Sequence, residues 1–248
     1  MLSMEPKTLL LGHMEDLARK ATKTGNAASK FLTPAEAHQV SLHFAARQDL
    51  MLLFDGGYEG AERVRAVFVN PDWGEYERAQ LFSALKIDHR PQDTLGHRDI
   101  LGALMALGIE RNTIGDIFAN FIICLPELSE HIVQNLNKAG RVGLKLTAVG
   151  LETLPTRIEE LTVKADTVAS LRLDAVLSAA FDLSRTKAAA LIASGIVNLD
   201  HEVCLQPTKK VPEDTLLSIR GLGRAKLLEV GGTTKKNRIF VQFGLYGR

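Results

Sequence analysis

Residues 170–199, SLRLDAVLSAAFDLSRTKAAALIASGIVNL, leave the chain few ways to fold. Leu173, Val176, Leu177 and Ala180 form one apolar stripe at helical spacing, and Ala188, Leu191 and Ile192 form a second. Each stripe is too short to be stable in water alone, so the two predicted helices must pack against each other. Ser184 stands where the second helix needs an N-cap, and Gly195 stands where the chain must turn out of it. The first-turn amides of that helix would then point outward beside Arg185 and Lys187, an arrangement suited to phosphate.

The charge distribution agrees with an anionic partner. The net charge of the whole chain is only +1. From Val168 onward, however, 12 Lys and Arg face 7 Asp and Glu, whereas the preceding residues carry 18 against 22. The excess is densest after Ser218, where Arg220, Arg224, Lys226, Lys235, Lys236, Arg238 and Arg248 meet one acid, Glu229. Such a division favours a polyanion on the C-terminal part. Arg172, Arg185, Lys187, Arg220 and Arg224 fall at predicted helix starts or at a strand-to-turn junction, from which they can reach phosphates without burial; Lys235, Lys236 and Arg238 extend the surface along a terminal hairpin. A surface of this kind suits structured RNA, read by shape, better than a single-stranded message.

Upstream, the sequence predicts a mostly helical first unit to about residue 60, with an early helix over 14–20 and a second opened by Thr33-Pro34-Ala35-Glu36, a capping box with proline at the first helical position. Gly56 and Gly57 close it with a turn. Residues 61–150 follow as a middle unit: strands over 64–69 and 82–89, a helix over 97–107, a hairpin over 116–125, a helix over 127–139 and a strand over 142–149. The order β-α-β-β-α-β is that of a ferredoxin-like or RRM-like sandwich. Its hairpin offers only Phe118 and Phe121 for base stacking, without the usual aromatic signature of that fold. Residues 151–166 contain Pro155 and read as a linker, and residues 167–248 form the last unit. The fold class is therefore α+β and multi-domain.

Other chemistries find little support. Cys124 and Cys204 are far apart and are expected to be buried thiols rather than a disulfide or metal pair. The seven histidines lack ligand spacing, and the pairs Gly56-Gly57 and Gly231-Gly232 belong to no phosphate-loop or dinucleotide fingerprint, so no metal and no cofactor is expected. No apolar run is long enough to span a membrane and the N-terminus lacks the features of a secretory signal, which predicts a cytoplasmic protein without a membrane partner. His97-Arg98-Asp99 sits at a helix start, where Asp99 is favoured by the helix dipole alone.

The pattern RLD, then SR with a following K, then SG, V and N, closed by a strand ending in RG, resembles the S4-type RNA-binding domain. FLTPAEAHQV (residues 31–40), GGYEGAERVRAVF (56–68), LGHRDILGALMALGIERNTIGDIF (95–118) and GLGRAKLLEVGGTTKKNRIFV (221–241) are similar to the YlmH family, also called RqcP, of bacterial S4-domain proteins. The resemblance implies a non-enzymatic RNA-binding protein that associates with the large ribosomal subunit carrying peptidyl-tRNA, contacts rRNA and tRNA, and assists the quality control of stalled nascent chains. Its expected RNA-binding residues are Arg172, Ser184, Arg185, Lys187, Arg220, Arg224, Lys226, Lys235, Lys236 and Arg238. The rival is an RNA-modifying enzyme. An RLD tripeptide also surrounds the catalytic aspartate of some pseudouridine synthases, but here no separate synthase domain follows it, and Asp174 is expected to cap or to form a salt bridge. An enzyme would instead need His97, Asp99 and Asp116 to converge in a pocket.

Overall fold

A computed structural model describes residues 6–156 and 161–247. The chain divides into two compact units, Met1–Arg157 and Ile158–Arg248. Among the described residues, no helix is long and apolar enough to cross a membrane. Residues 1–5 of the N-terminus, expected to lack a secretory signal, and Arg248 of the basic tail lie outside the described residues.

The first unit opens with α1 (Pro6–Thr24), β1 (Asn26–Leu32), α2 (Pro34–Phe44), β2 (Met51–Asp55) and β3 (Val64–Val69). Strand β3 is the centre of an antiparallel sheet ordered β1-β3-β2. Met14, Ala18 and Ala21 of α1 and Val40 and Phe44 of α2 are buried against Ala66 and Phe68 of β3. The capping box forms as its residues suggest: the Glu36 N–H donates to Thr33 Oγ1 at 3.3 Å, and the Thr33 N–H donates to Glu36 Oε2 at 2.7 Å.

Both expected helices are present, but β1 and β2 qualify the mostly helical reading of the first sixty residues. Strand β1 is NAASKFL, whose small and polar residues give no local strand signal. It becomes a strand by pairing with β3, and buried Ser29 is accommodated because its hydroxyl donates to the Lys30 carbonyl and accepts from the Ala66 N–H.

The unit continues with α3 (Arg78–Leu81), β4 (Ser83–Asp88), α4 (His97–Ala106), β5 (Ile114–Phe118), β6 (Phe121–Cys124), α5 (Pro126–Asn135), β7 (Lys138–Ala139), β8 (Val142–Gly143) and β9 (Lys145–Val149). A second antiparallel sheet has the order β5-β6-β4-β9, and Ile100, Leu104 and Ile132 from α4 and α5 are buried with Leu85, Ile87, Ile122 and Leu146 from its strands. Ala119 and Asn120, at φ 44° and 64°, join β5 to β6 with the backbone hand that a two-residue hairpin requires. The helix expected over 127–139 stops at Asn135, because the chain turns at Gly140 (φ 57°) into the small β7–β8 pair.

The two sheets of this unit meet where Phe31 of β1 lies on Gly115 of β5. A Cβ at Gly115 would come within 2.6 Å of the Phe31 ring, inside a cluster that also buries Tyr58, Phe82 and Ile123.

The second unit comprises β10 (Leu161–Val168), α6 (Leu173–Phe181), α7 (Arg185–Ala193), β11 (Val197–Leu199), β12 (Glu202–Val203), β13 (Leu216–Ile219), β14 (Gly223–Thr233) and β15 (Ile239–Tyr246). Its sheet is ordered β10-β15-β14-β13-β11-β12. Leu173, Val176, Leu177 and Ala180 are buried with Ala188 and Ile192, and with Ala225, Leu227, Val241 and Phe243 from the sheet. Of the stretch 151–166 read as a linker, residues 157–160 lie outside the described residues and Leu161 onward belongs to β10. Cys124 and Cys204 are both buried and free, in different units. Burial, with a smaller contribution from Glu127, pushes the Cys124 thiol up to about 12.

Gly115→Ala is expected to destabilise the first unit by about 1–3 kcal/mol through overpacking against Phe31. Denaturant unfolding of the full chain checks this, and an unchanged midpoint would contradict the close approach of the two sheets.

Candidate nucleic-acid interface

Helix α6 begins at Leu173, and its second residue, Asp174, is an acid with only 8% of its side chain exposed. Two arginines satisfy it. Arg172 donates from Nε and Nη2 to the two carboxylate oxygens, each at 3.1 Å, and Arg185, the first residue of α7, donates from Nη2 to Oδ2 at 2.7 Å. Burial pushes the Asp174 carboxyl up, but the hydrogen bonds from Arg172 and Arg185 and their charges outweigh it and hold the group below its ordinary 3.8. Asp174 thus forms salt bridges, as its place in the sequence suggests, and it fixes two half-exposed guanidiniums side by side.

The turn between the helices completes this corner. Asp182 closes α6 in the left-handed region at φ 55°, and the Lys187 N–H donates to Ser184 Oγ at 3.1 Å, the cap expected from the sequence. The side chains of Arg185 and Lys187 are exposed. A later segment adds two cations that sequence reasoning missed. The Leu173 N–H donates to the Lys209 carbonyl at 2.8 Å, the Asp174 N–H to the Pro207 carbonyl at 3.0 Å, and Arg172 pairs with Lys210 across an antiparallel bridge. Exposed Lys209 and Lys210 therefore run beside the start of α6. Only the doublet Lys209-Lys210 between Pro207 and Pro212 could have flagged them, since nothing local ties that loop to a helix 35 residues earlier.

The other expected site residues lie elsewhere in the unit. Arg224 and Lys226 alternate on β14 with buried Ala225 and Leu227, so their side chains project from the sheet face opposite the helices. Arg224 lies over the Tyr246 ring at 4.9 Å, and Lys226 pairs with Asp214 at 3.1 Å. Arg220 follows β13, and its N–H donates to the Ile196 carbonyl just after α7. Arg238 is engaged in holding the final hairpin to β10: its Nε donates to Thr167 Oγ1 at 2.8 Å and its Nη2 to the Thr167 carbonyl. Lys235 and Lys236 are exposed at the tip of that hairpin. The structure gathers Arg172, Ser184, Arg185 and Lys187 into one corner with Lys209 and Lys210, and places Arg224 and Lys226 on the opposite sheet face.

The groups that an enzyme would need are largely committed to structure. Asp99 accepts from the Gly96 N–H at 3.0 Å and caps α4. Asp116 is buried in the first unit and accepts from the Tyr58 hydroxyl at 2.7 Å and from the N–H groups of Glu62 and Arg63 at 2.7 and 3.2 Å. His97 and Asp116 line one cavity, but Asp99 is not among its lining residues. Among the described residues, no three His, Cys, Asp or Glu side chains are grouped so as to hold a metal ion.

Comparison with known proteins places residues 83–153 in a family described as "Putative RNA-binding domain in YlmH". A ribosome-associated protein quality control protein P2 from Bacillus subtilis (strain 168) is 35% identical over 222 residues, covering 86% of this chain and 84% of the relative. A solved structure, the cell division protein ylmH from Streptococcus pneumoniae, matches at a TM-score of 0.50 with 21% identity, covering 62% of this chain and 98% of the other; that likeness concerns the fold alone.

Asp174→Asn is expected to lower stability at neutral pH by about 1–3 kcal/mol, because a buried acceptor of two arginines loses its charge. The carboxyl is held below its unfolded value, so its contribution is present above pH ~4 and is lost as the pH falls through the folded value. The difference between wild type and variant should therefore shrink on acidification, and a difference independent of pH would contradict the ion-pair assignment.

Proposed function

The chain belongs to the YlmH family, also called RqcP, and from that premise we propose that it is a non-enzymatic RNA-binding protein of the ribosome. Residues 167–248 act as an S4-type domain that grips rRNA and tRNA on the large subunit carrying peptidyl-tRNA, in the quality control of stalled nascent chains and hence in the cytoplasm. The single observation that carries this reading is the cationic corner in which one buried carboxylate holds Arg172 and Arg185 beside exposed Lys187, Lys209 and Lys210. Preformed, exposed cations at a helix start contact backbone phosphates with little ordering cost, and their fixed spacing suits the phosphate array of a folded RNA better than a flexible strand.

The name of the Bacillus subtilis relative supports the process. In residues 83–149, the order β4-α4-β5-β6-α5-β9, interrupted by the small β7–β8 pair, and the sheet order β5-β6-β4-β9 support a ferredoxin-like, RRM-like middle domain. Lys235 and Lys236 extend the RNA contact from the terminal hairpin, while Arg220, Arg224, Lys226 and Arg238 add charge around the sheet. The engagement of Asp174 by two arginines speaks against its use as a pseudouridine synthase nucleophile.

If the corner neutralises about four to six phosphates, affinity for structured RNA should fall at least tenfold between low and physiological salt. Filter retention across a salt series measures this, and a salt-independent affinity would count against an electrostatic contact. Reversing the charges in Lys187→Glu with Lys209→Glu and Lys210→Glu, which leaves both arginine pairs of Asp174 intact, should abolish co-sedimentation with ribosomes while leaving the thermal transition nearly unchanged; retained co-sedimentation would mean that the ribosome is held elsewhere.

A further inference from the structure

The first unit contains a cavity of about 420 Å³ between segments that adjoin its two sheets, lined by Thr33 and Pro34 at the start of α2, Glu62 and Arg63 before β3, His97 at the start of α4, Arg111 just before β5, and Asp116, Ile117 and Phe118 on β5. Two half-buried arginines dominate its polar wall. Arg63 donates from Nε to the Ile114 carbonyl and from Nη2 to the Phe31 carbonyl, both at 3.3 Å. Arg111 donates from Nη1 to the same Ile114 carbonyl at 2.6 Å and to the Gly115 carbonyl at 3.1 Å.

Two like charges are thus drawn together around one backbone oxygen. Nη1 of Arg63 and Nε and Nη2 of Arg111 have no protein acceptor among the described residues. Burial first, and then the neighbouring charge of Arg63, push Arg111 down to about 10, with Asp116 opposing the shift. The carbonyl bonds and the nearby carboxylates offset this burial only in part, since both guanidiniums stay below their ordinary value, so an anion entering between the two side chains would recover solvation that both have lost.

The surrounding acids restrict which anion fits. Glu36, Asp116 and Glu62 all act on Arg63. Glu36 Oε2 is engaged by the Thr33 N–H and hydroxyl, and Asp116 accepts from Tyr58, Glu62 and Arg63. These carboxylates oppose a dianionic phosphate monoester more strongly than a singly charged phosphodiester. Beside the arginines, Ile117 and Phe118 give an apolar wall, and Phe118 is held flat against Tyr58 with ring centroids 4.2 Å apart and planes at 12°. The volume lies near the lower end of the ~300–1,000 Å³ range of small-ligand pockets, enough for one nucleotide and far too small for a duplex.

We propose that this cavity seats one nucleotide of a single-stranded RNA segment, with its phosphodiester between Arg63 and Arg111 and its base against Ile117 and Phe118. The site is additional to the structured-RNA contact assigned to residues 167–248. It gives the chain a means of holding an unpaired nucleotide, which the cationic corner around Asp174 lacks.

The test is photo-crosslinking of the full chain to a short unpaired RNA carrying 4-thiouridine, with adducts mapped by peptide mass spectrometry. Adducts within residues 111–121 are expected, and they should persist in the Lys187→Glu, Lys209→Glu, Lys210→Glu protein, which separates this site from the proposed ribosome contact. The dinucleotide UpU should compete with the adduct at least threefold better than uridine 5′-monophosphate; equal competition would overturn the phosphodiester assignment. Arg63→Gln with Arg111→Gln should reduce the adduct at least tenfold with the thermal transition retained, and an undiminished adduct would overturn the role of the arginines. If that double variant fails to fold, the wild-type map decides alone. Adducts confined to residues 161–247, or none in either unit, would overturn the site.

Discussion

The buried carboxylate of Asp174 organises the second unit's candidate surface. It lies at the start of α6, within hydrogen-bond distance of Arg172 just before that helix and Arg185 at the start of the next. One acid thereby fixes the start of two helices whose apolar stripes are already packed in the core. Removing one partner from such a group leaves a buried charge uncompensated, which makes the geometry hard to relax. The carboxylate also neutralises only one of the two cations. The exposed corner keeps positive charge, in a fixed orientation, next to Lys187, Lys209 and Lys210.

A basic surface built this way differs from a run of lysines on a flexible tail. Phosphate contacts to such a surface would need little ordering, and its fixed spacing would favour a folded RNA whose phosphates match it. The sheet behind the helices supplies the rigidity: Ala225, Leu227, Val241 and Phe243 form the floor on which α6 and α7 rest. Arg224 and Lys226 point away from that floor and belong to a different face, so a polyanion at the corner would feel their charges only through the long-range field.

Much of this was legible in the sequence because it is local. The stripes of α6 and α7, the Ser184 cap and the box at Thr33 and Glu36 each depend on residues within one or two helical turns. The order β4, α4, β5, β6, α5 and β9 was legible for the same reason, whereas the small β7–β8 pair was not. What escaped depends on distant partners. Strand β1 has small and polar residues and is a strand because β3 pairs with it. Lys209 and Lys210 join the site because Leu173 and Asp174 bond the carbonyls of their loop. The shared carbonyl between Arg63 and Arg111 required the fold of the first unit, since 48 positions separate them in sequence.

The most direct test of the central claim, that the chain acts on the ribosome through structured RNA, is crosslinking of the protein to RNA in cells, followed by sequencing of the attached fragments. Fragments concentrated in large-subunit rRNA and in tRNA are the expected result. Fragments spread over messages, or no enrichment of ribosomal and transfer RNA above background, would contradict it.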